Sequence, residues 1–180
     1  GSSTASLTET DAALIATGKL SALDVDGTAN LFLAQTDVAG SNGYGSFSVN
    51  TTGEWTYTMG SAHDEFANEE TYTDSIIVKA ADGTEQVVTV TINGANDAAT
   101  ITGTSAGAVT EASGVANGTP GTPTATGTLT STDVDNATTF TAVTTATTSA
   151  GGYGTYTMTA GGVWTYTLNN ANPTVNALKT

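Results

Sequence analysis

Two Asp-x-Asp pairs are the residues of this sequence whose type and spacing are best suited to chemistry. Asp24 and Asp26 form one pair, and Asp133 and Asp135 form the other. In an extended loop, alternate side chains lie on one side of the backbone, so the two carboxylates can converge on one cation. The ordinary alternative is turn chemistry, because Asp tolerates tight turns and accepts hydrogen bonds from backbone amides. The recurrence of the pair favours a metal site.

The charge of the chain also favours cations as ligands. Its 180 residues include 17 acidic and 3 basic residues, all of the latter lysine, which gives a formal net charge of −14. Such a chain cannot neutralise phosphates, so neither nucleic acid nor an anionic membrane surface is an expected partner. Cysteine is absent and histidine occurs once, which argues against zinc. No stretch is apolar enough for insertion into a membrane.

The elements that position these acids are strands in two copies of a repeat. The copies align at a shift of 109 residues, most clearly between residues 53–59 and 162–168. Apolar and polar residues alternate within each copy, and 40 threonines favour strand over helix. We predict an all-β protein built of tandem antiparallel Ig-like or cadherin-like β-sandwich modules. The predicted domains are residues 1–97, a complete repeat, and 98–180, a second repeat lacking its last two strands.

The direction of each strand assigns its loops to one end of the module. In a sandwich that is antiparallel throughout, Glu9, Asp74 and the Asn96-Asp97 linker fall at the end where the chain leaves the first copy, here called the exit pole. The Asp-x-Asp pairs fall at the opposite end, the entry pole. Seven strands are predicted in the first copy, near residues 5–10, 18–23, 30–36, 44–50, 54–59, 74–80 and 85–93.

Head-to-tail stacking of the two copies would gather acids from both poles at one junction. Two carboxylates about 5 Å apart repel by roughly 3 kcal/mol at an effective dielectric of 20, so such a junction needs a cation. Calcium is the expected ion, because it is hard and takes six to eight oxygen ligands. The predicted Ca²⁺ ligands at this junction are Glu9, Asp74, Asn96, Asp97, Asp133 and Asp135.

The order of the motifs resembles the VCBS repeat of giant bacterial adhesins of the RTX type. The motifs are Asp-x-Asp-Gly, Tyr-Gly, a Gly-x-Trp-x-Tyr hairpin, and Asp-Gly before a strand ending in Ile-Asn-Gly-Ala-Asn-Asp. The resemblance implies an extracellular array of calcium-binding modules on a Gram-negative cell, exported by type I secretion and used in adhesion and biofilm formation. It also implies an entry half-site for a preceding module, formed by Asp24, Asp26 and Asp82.

Two classes of function follow from the sequence. The first is a calcium-rigidified extender of a cell-surface adhesin, whose partners are neighbouring repeats and calcium ions. The alternative is a binding module that recognises a glycan, a host protein or ice through a Thr-rich face. The short second repeat adds strand exchange or dimerisation as a further kind of partner. We predict no enzymatic activity, because His63 lies in a polar stretch with no counterpart in the second copy.

Overall fold

The computed structural model describes residues 1–25, 30–113 and 115–177, and it confirms the all-β fold class. The chain forms two compact units. The first unit comprises Gly1–Asp97 together with Val134–Asn136, and the second comprises Ala98–Asp133 and Ala137–Thr180. None of the described helices has the length and apolar character that crossing a membrane requires.

The first unit is a β-sandwich of two sheets. One sheet has the strand order β1-β7-β6 and the other the order β2-β5-β4-β3. β1 and β7 pair in parallel, which corrects the expectation of antiparallel pairing throughout. Parallel pairing keeps the carboxyl ends of these two strands at one pole. The strands are β1 (Thr4–Thr8), β2 (Ile15–Lys19), β3 (Gln35–Ala39), β4 (Gly45–Val49), β5 (Glu54–Met59), β6 (Thr71–Lys79) and β7 (Glu85–Asn93).

The core of the first unit lies between these sheets and follows the period of two that the sequence shows. Trp55 and Tyr57 on β5 are buried, whereas Thr56 and Thr58 point away from the core. The Trp55 indole Nε1 donates to the backbone carbonyl of Ser2 at 2.9 Å, which fixes the chain that leads into β1. The hairpin of β6 and β7 contributes the facing aliphatic residues Ile76, Val78, Val88, Val90 and Ile92.

The third strand differs from its prediction. β3 begins at Gln35, whereas the sequence pattern places a strand at residues 30–36. Phe32 is buried and forms an isolated antiparallel bridge with Ala80, and the amide of Leu33 donates to the carbonyl of Lys79 at 2.9 Å. This segment therefore bonds to the end of β6 in one sheet before the chain enters the other sheet as β3. Alternation alone does not reveal such a change of partner.

The second unit contains one five-stranded sheet with the order β10-β11-β12-β9-β8. All of its strand pairs are antiparallel. Within residues 115–177 no strand follows β12, and the last described element is a 3₁₀ turn at Val175–Ala177. The strands are β8 (Thr100–Gly103), β9 (Thr124–Thr132), β10 (Val143–Thr148), β11 (Gly154–Met158) and β12 (Val163–Leu168).

Candidate metal centre

Three carboxylates meet at the exit pole of the first unit. Glu9, Asp64 and Asp97 each offer one oxygen, and these oxygens lie within 4.8 Å of one another. Glu9 is the most deeply placed, with only 3 % of its surface exposed. Carboxylates so close repel one another unless protons or a cation lie between them. We call these three residues the exit cluster.

Glu9 reaches the exit cluster because β1 and β7 run side by side. The Glu9 amide donates to the carbonyl of Asn93 at 2.8 Å, which extends the parallel ladder by one residue beyond β1. One carboxylate oxygen, Oε2, accepts from the amide of Ala95 at 3.1 Å. The Glu9 side chain is therefore attached to the start of the linker that follows β7.

Gly94 brings the linker, and with it Asp97, against the loop that contains Asp64. The Gly94 amide donates to the carbonyl of Glu70 at 3.0 Å. A Cβ atom at this position would lie 2.2 Å from the carbonyl oxygen of Ala67, which is too close for any other residue. The Gly in the Asn-Gly-Ala-Asn-Asp motif is thus required by a close approach of two backbones.

Asp64 is held in place by an aromatic anchor two residues further along the chain. Phe66 is buried and stacks on Tyr72 of β6, with ring centroids 3.8 Å apart. The Phe66 amide donates to the carbonyl of His63 at 2.9 Å, closing a tight turn around Asp64. The hydrophobic core therefore sets the position of a polar loop.

The exit cluster has more acceptors than donors. Glu9 Oε1, Asp64 Oδ1 and Asp97 Oδ2 are buried, and none has a hydrogen-bond partner in the described part of the chain. Burial raises the pKa of Glu9 against the lowering effect of its Ala95 hydrogen bond, and Asp97 and Asp64 raise it further. Desolvation also raises the pKa of Asp97, followed by the charges of Asp64 and Asp11. An all-oxygen site of this kind fits a hard divalent cation such as Ca²⁺.

Asn96 and Asp135 are close neighbours of this cluster in the first unit. Asn136 Nδ2 donates to Asn96 Oδ1 and to Asp135 Oδ1, each at 2.8 Å. The charge of Asp135 is a further cause of the raised pKa of Asp97. Asp133, the other entry-side residue predicted from sequence, directly follows β9 and belongs to the second unit.

Asp74 has hydrogen-bond partners that account for its burial without a cation. Its side chain is fully buried. Oδ1 accepts from the Asn42 amide at 2.9 Å, and Oδ2 accepts from the Gly45 amide at 3.1 Å and the Tyr57 hydroxyl at 3.2 Å. Burial raises the pKa of Tyr57, and the neighbouring Asp74 charge raises it further. The structure does not place Asp74 in the exit cluster.

The three residues predicted for the entry half-site lie apart from the exit cluster or outside the described residues. Asp82 is exposed, and its carboxylate accepts from the Thr84 amide at 2.8 Å and hydroxyl at 3.0 Å, which lowers its pKa. This is the turn chemistry expected of an Asp-Gly dipeptide. Asp24 lines the same cavity of about 280 Å³ as Asp82 and Asn30. Asp26 lies outside the described residues.

Asp64 is the cluster residue that the sequence prediction left out. Strand direction places the segment from residue 64 to residue 70 at the exit pole, but the segment holds four acids of similar appearance. The one distinguishing signal is Phe66, the only large apolar residue of the segment, which predicts where the loop is attached to the core.

The first unit matches a family model described as the bacterial cadherin-like domain, over residues 1–94. A search of curated proteins returned no significant match.

Proposed function

Because the chain belongs to the bacterial cadherin-like domain family, we propose that it is an extender module of a bacterial cell-surface adhesin and that calcium stiffens it. Domains of this family are extracellular, and they are typically structural modules rather than enzymes. The motif order supports the finer assignment to a VCBS repeat of an RTX-type adhesin exported by type I secretion. Neighbouring repeats and calcium ions are then its partners.

One observation supports calcium as the stiffening agent. Glu9 is 3 % exposed, and its Oε1 faces the carboxylates of Asp64 and Asp97 without a hydrogen-bond donor among the described residues. A cation bound there would join the end of β1, the Asp64 loop and the linker after β7. The linker would lose its freedom to rotate, because three separate segments would share one ion.

The entry-side acids complete this proposal. Asp133 and Asp135 would supply ligands from the second Asp-x-Asp pair, with Asn96 as a neutral oxygen ligand from the linker. Asp24, Asp26 and Asp82 would serve in the same way for a preceding module. Asp74 is left with the structural role that its hydrogen bonds give it.

Calcium should lengthen and stiffen the chain. We expect small-angle scattering to show a larger maximum dimension when calcium is added to chelator-treated protein, because the linker loses freedom. The double variant Asp133→Ala, Asp135→Ala should lose this response, since it removes both entry-side carboxylates. Unchanged scattering of the wild-type protein upon calcium addition would contradict the proposal.

The matched control for this experiment is Asp37→Ala with Glu54→Ala. This variant removes the same number of charges from outside the exit cluster. We expect it to lengthen with calcium as the wild-type protein does. Equal loss of the response in both double variants would show that net charge, rather than a defined site, sets the dimensions of the chain.

A second candidate function is recognition of a ligand through a Thr-rich face of the second unit. The strand register supports it: Thr148, Thr155, Thr167 and Thr124 occupy neighbouring positions across β10, β11, β12 and β9. A glycan, a host protein and ice are the ligands to examine. Retention of the wild-type protein on a glycan array or on ice, lost in Thr167→Lys, would favour this function. If the wild-type protein is not retained, the extender function remains as the proposal.

A further inference from the structure

An Asn-Gly pair lies in the turn that contacts Asp74, and such a pair can react without an enzyme. The backbone nitrogen of the Gly attacks the side-chain carbonyl carbon of the Asn, ammonia leaves, and water opens the resulting imide to aspartate or isoaspartate. Gly after Asn favours this attack, because no Cβ atom obstructs it. The chain has three such pairs, which begin at Asn42, Asn93 and Asn117. Their surroundings decide which of them reacts first.

The surroundings of Asn42 and Gly43 leave room for the attack. Both residues are exposed, in the turn that joins β3 to β4. Gly43 has a φ of 76°, and no heavy atom beyond its chain neighbours lies within 4 Å of the place of a Cβ atom there. In the described part of the chain, the Gly43 amide donates only to the carbonyl of Gly40, at 3.0 Å. Exposed turns of this kind open locally more readily than central strands do.

Asn93 is held on both sides of the bond where the imide ring would form. It is the last residue of β7, and its Nδ2 donates to Ser6 Oγ and to the carbonyl of Leu7, each at 3.0 Å. Gly94 is buried, and a Cβ atom there would lie 2.2 Å from the carbonyl oxygen of Ala67. The ring cannot form without separating these two backbones, so the folded state should protect Asn93.

Asn117 is less accessible than Asn42. It is half-buried, and its Nδ2 donates to the carbonyl of Asn170 at 3.0 Å. It also ends the 3₁₀ turn that begins at Val115. Asn42 is therefore the residue of the three that the structure leaves most open to reaction.

The contacts of Asn42 connect this reaction to the core. Its backbone amide donates to Asp74 Oδ1 at 2.9 Å, and its Nδ2 donates to the carbonyl of Thr73 at 2.6 Å. These two bonds attach the turn to β6, so the turn must open before Asn42 can react. The product has a carboxylate in place of the amide. A carboxylate cannot donate a hydrogen bond to Thr73, and it repels the neighbouring charge of Asp74.

We propose that Asn42-Gly43 is a site of spontaneous deamidation and that its product permanently weakens the attachment of this turn to β6. The bond from Gly43 N to Asn42 Cγ forms as the bond from Cγ to Nδ2 breaks, and the Gly43 amide proton leaves with the ammonia. One water molecule then opens the ring, which adds a negative charge and, in isoaspartate, one backbone carbon. The aligned residues of the second copy are Gly151 and Gly152, so that copy has no equivalent of this site.

Peptide mapping by mass spectrometry of the full chain, aged in a mildly alkaline buffer, tests the site. We expect aspartate and isoaspartate at position 42 before position 93 or 117, and similar rates at all three in urea. Asp74→Ala should raise the rate at position 42 severalfold but not at position 93, because the turn loses an acceptor. Asp82→Ala is the matched control and should leave the rate unchanged. Where Asp74→Ala does not fold, the order of reaction in the wild-type protein decides.

Asn42→Asp reproduces the aspartate product without ageing. In chelator it should melt about 4–8 °C lower than the wild-type protein, the shift that the loss of one hydrogen bond produces in a domain of this size. Asn68→Asp is the matched control, because it adds the same charge at an exposed position of the first unit. Earlier reaction at another Asn-Gly pair, no product at position 42 once the chain in urea has reacted fully, or equal melting of the two variants would each overturn the proposal.

Discussion

Replacing Asp74 by alanine should destabilise the first unit by about 3–5 kcal/mol. The substitution leaves the buried hydroxyl of Tyr57 and the partly buried amides of Asn42 and Gly45 without their acceptor. An unsatisfied buried donor costs about 1–3 kcal/mol, and hydrogen bonds to a charged acceptor contribute more than those between neutral groups. Urea denaturation followed by tryptophan fluorescence measures the change, because Trp55 lies in the same core.

The control for this prediction is Asp82→Ala, and calcium distinguishes the two roles of Asp74. Asp82 is exposed and bonded only within its own turn, so its loss should change stability little. The destabilisation by Asp74→Ala should be the same with calcium and with chelator. A variant of normal stability that no longer responds to calcium would instead show that Asp74 is a calcium ligand.

Glu9→Gln should remove most of the effect of calcium chelation on stability. Extracellular calcium modules bind at roughly 10⁻⁴ to 10⁻³ M, so about 10 mM calcium should stabilise the wild-type protein by about 1.4–2.7 kcal/mol. Glu9→Gln should lose most of this gain, because an amide offers the cation one neutral oxygen instead of a carboxylate. Thermal unfolding with and without calcium measures the stabilisation by calcium in the wild-type protein and in the variant.

In chelator, the same variant should be more stable than the wild-type protein at pH 7. The pKa of Glu9 is raised in the folded state, so its ionised form opposes folding, and this cost grows as the pH rises above the ordinary value of 4.5. The variant lacks this cost, so its advantage over the wild-type protein should shrink as the pH falls towards 4.5. Glu70→Gln is the matched control, because Glu70 is exposed at the same pole. An equal response of both variants would contradict a role for Glu9.

Strand direction was sufficient to bring Glu9 and Asp97 together from sequence. Because β1 and β7 are both odd-numbered strands, their carboxyl ends share a pole, and Glu9 and Asp97 follow those ends. The parallel pairing of β1 with β7 left this conclusion intact, since direction rather than pairing decides the pole. The fold class was predictable for a similar reason, as a period of two over short segments is the direct mark of half-buried strands.

The burial of Asp74 was also predictable from the alternation of residues along β6, although the sequence prediction did not use that alternation. Asp74, Ile76 and Val78 alternate along β6 and so share its inner face. A carboxylate on a core face must accept hydrogen bonds from nearby donors. Which donors these are depends on the loop from Gly40 to Gly45, and no local signal links that loop to a strand 30 residues away.

Long-range contacts decided the features that the sequence did not reveal. The segment around Phe32 bonds to the end of β6, and this choice of partner rests on residues nearly 50 positions apart. Asp64 gained its place in the exit cluster through Phe66 and Tyr72, whose stacking arises only when the sandwich closes. Composition and spacing identify the groups that could bind a cation, whereas packing decides which of them come together.

Calcium titration calorimetry of the wild-type protein and of Asp64→Asn is the most direct test of the account. Asp64 is the carboxylate that the structure adds to the predicted site, and its substitution by Asn keeps the size of the side chain while removing the charge. We predict saturable calcium binding by the wild-type protein at roughly 10⁻⁴ to 10⁻³ M, and the loss of at least one binding event in the variant. Identical stoichiometry and affinity in both proteins, or no binding to either, would contradict a calcium site at the exit cluster.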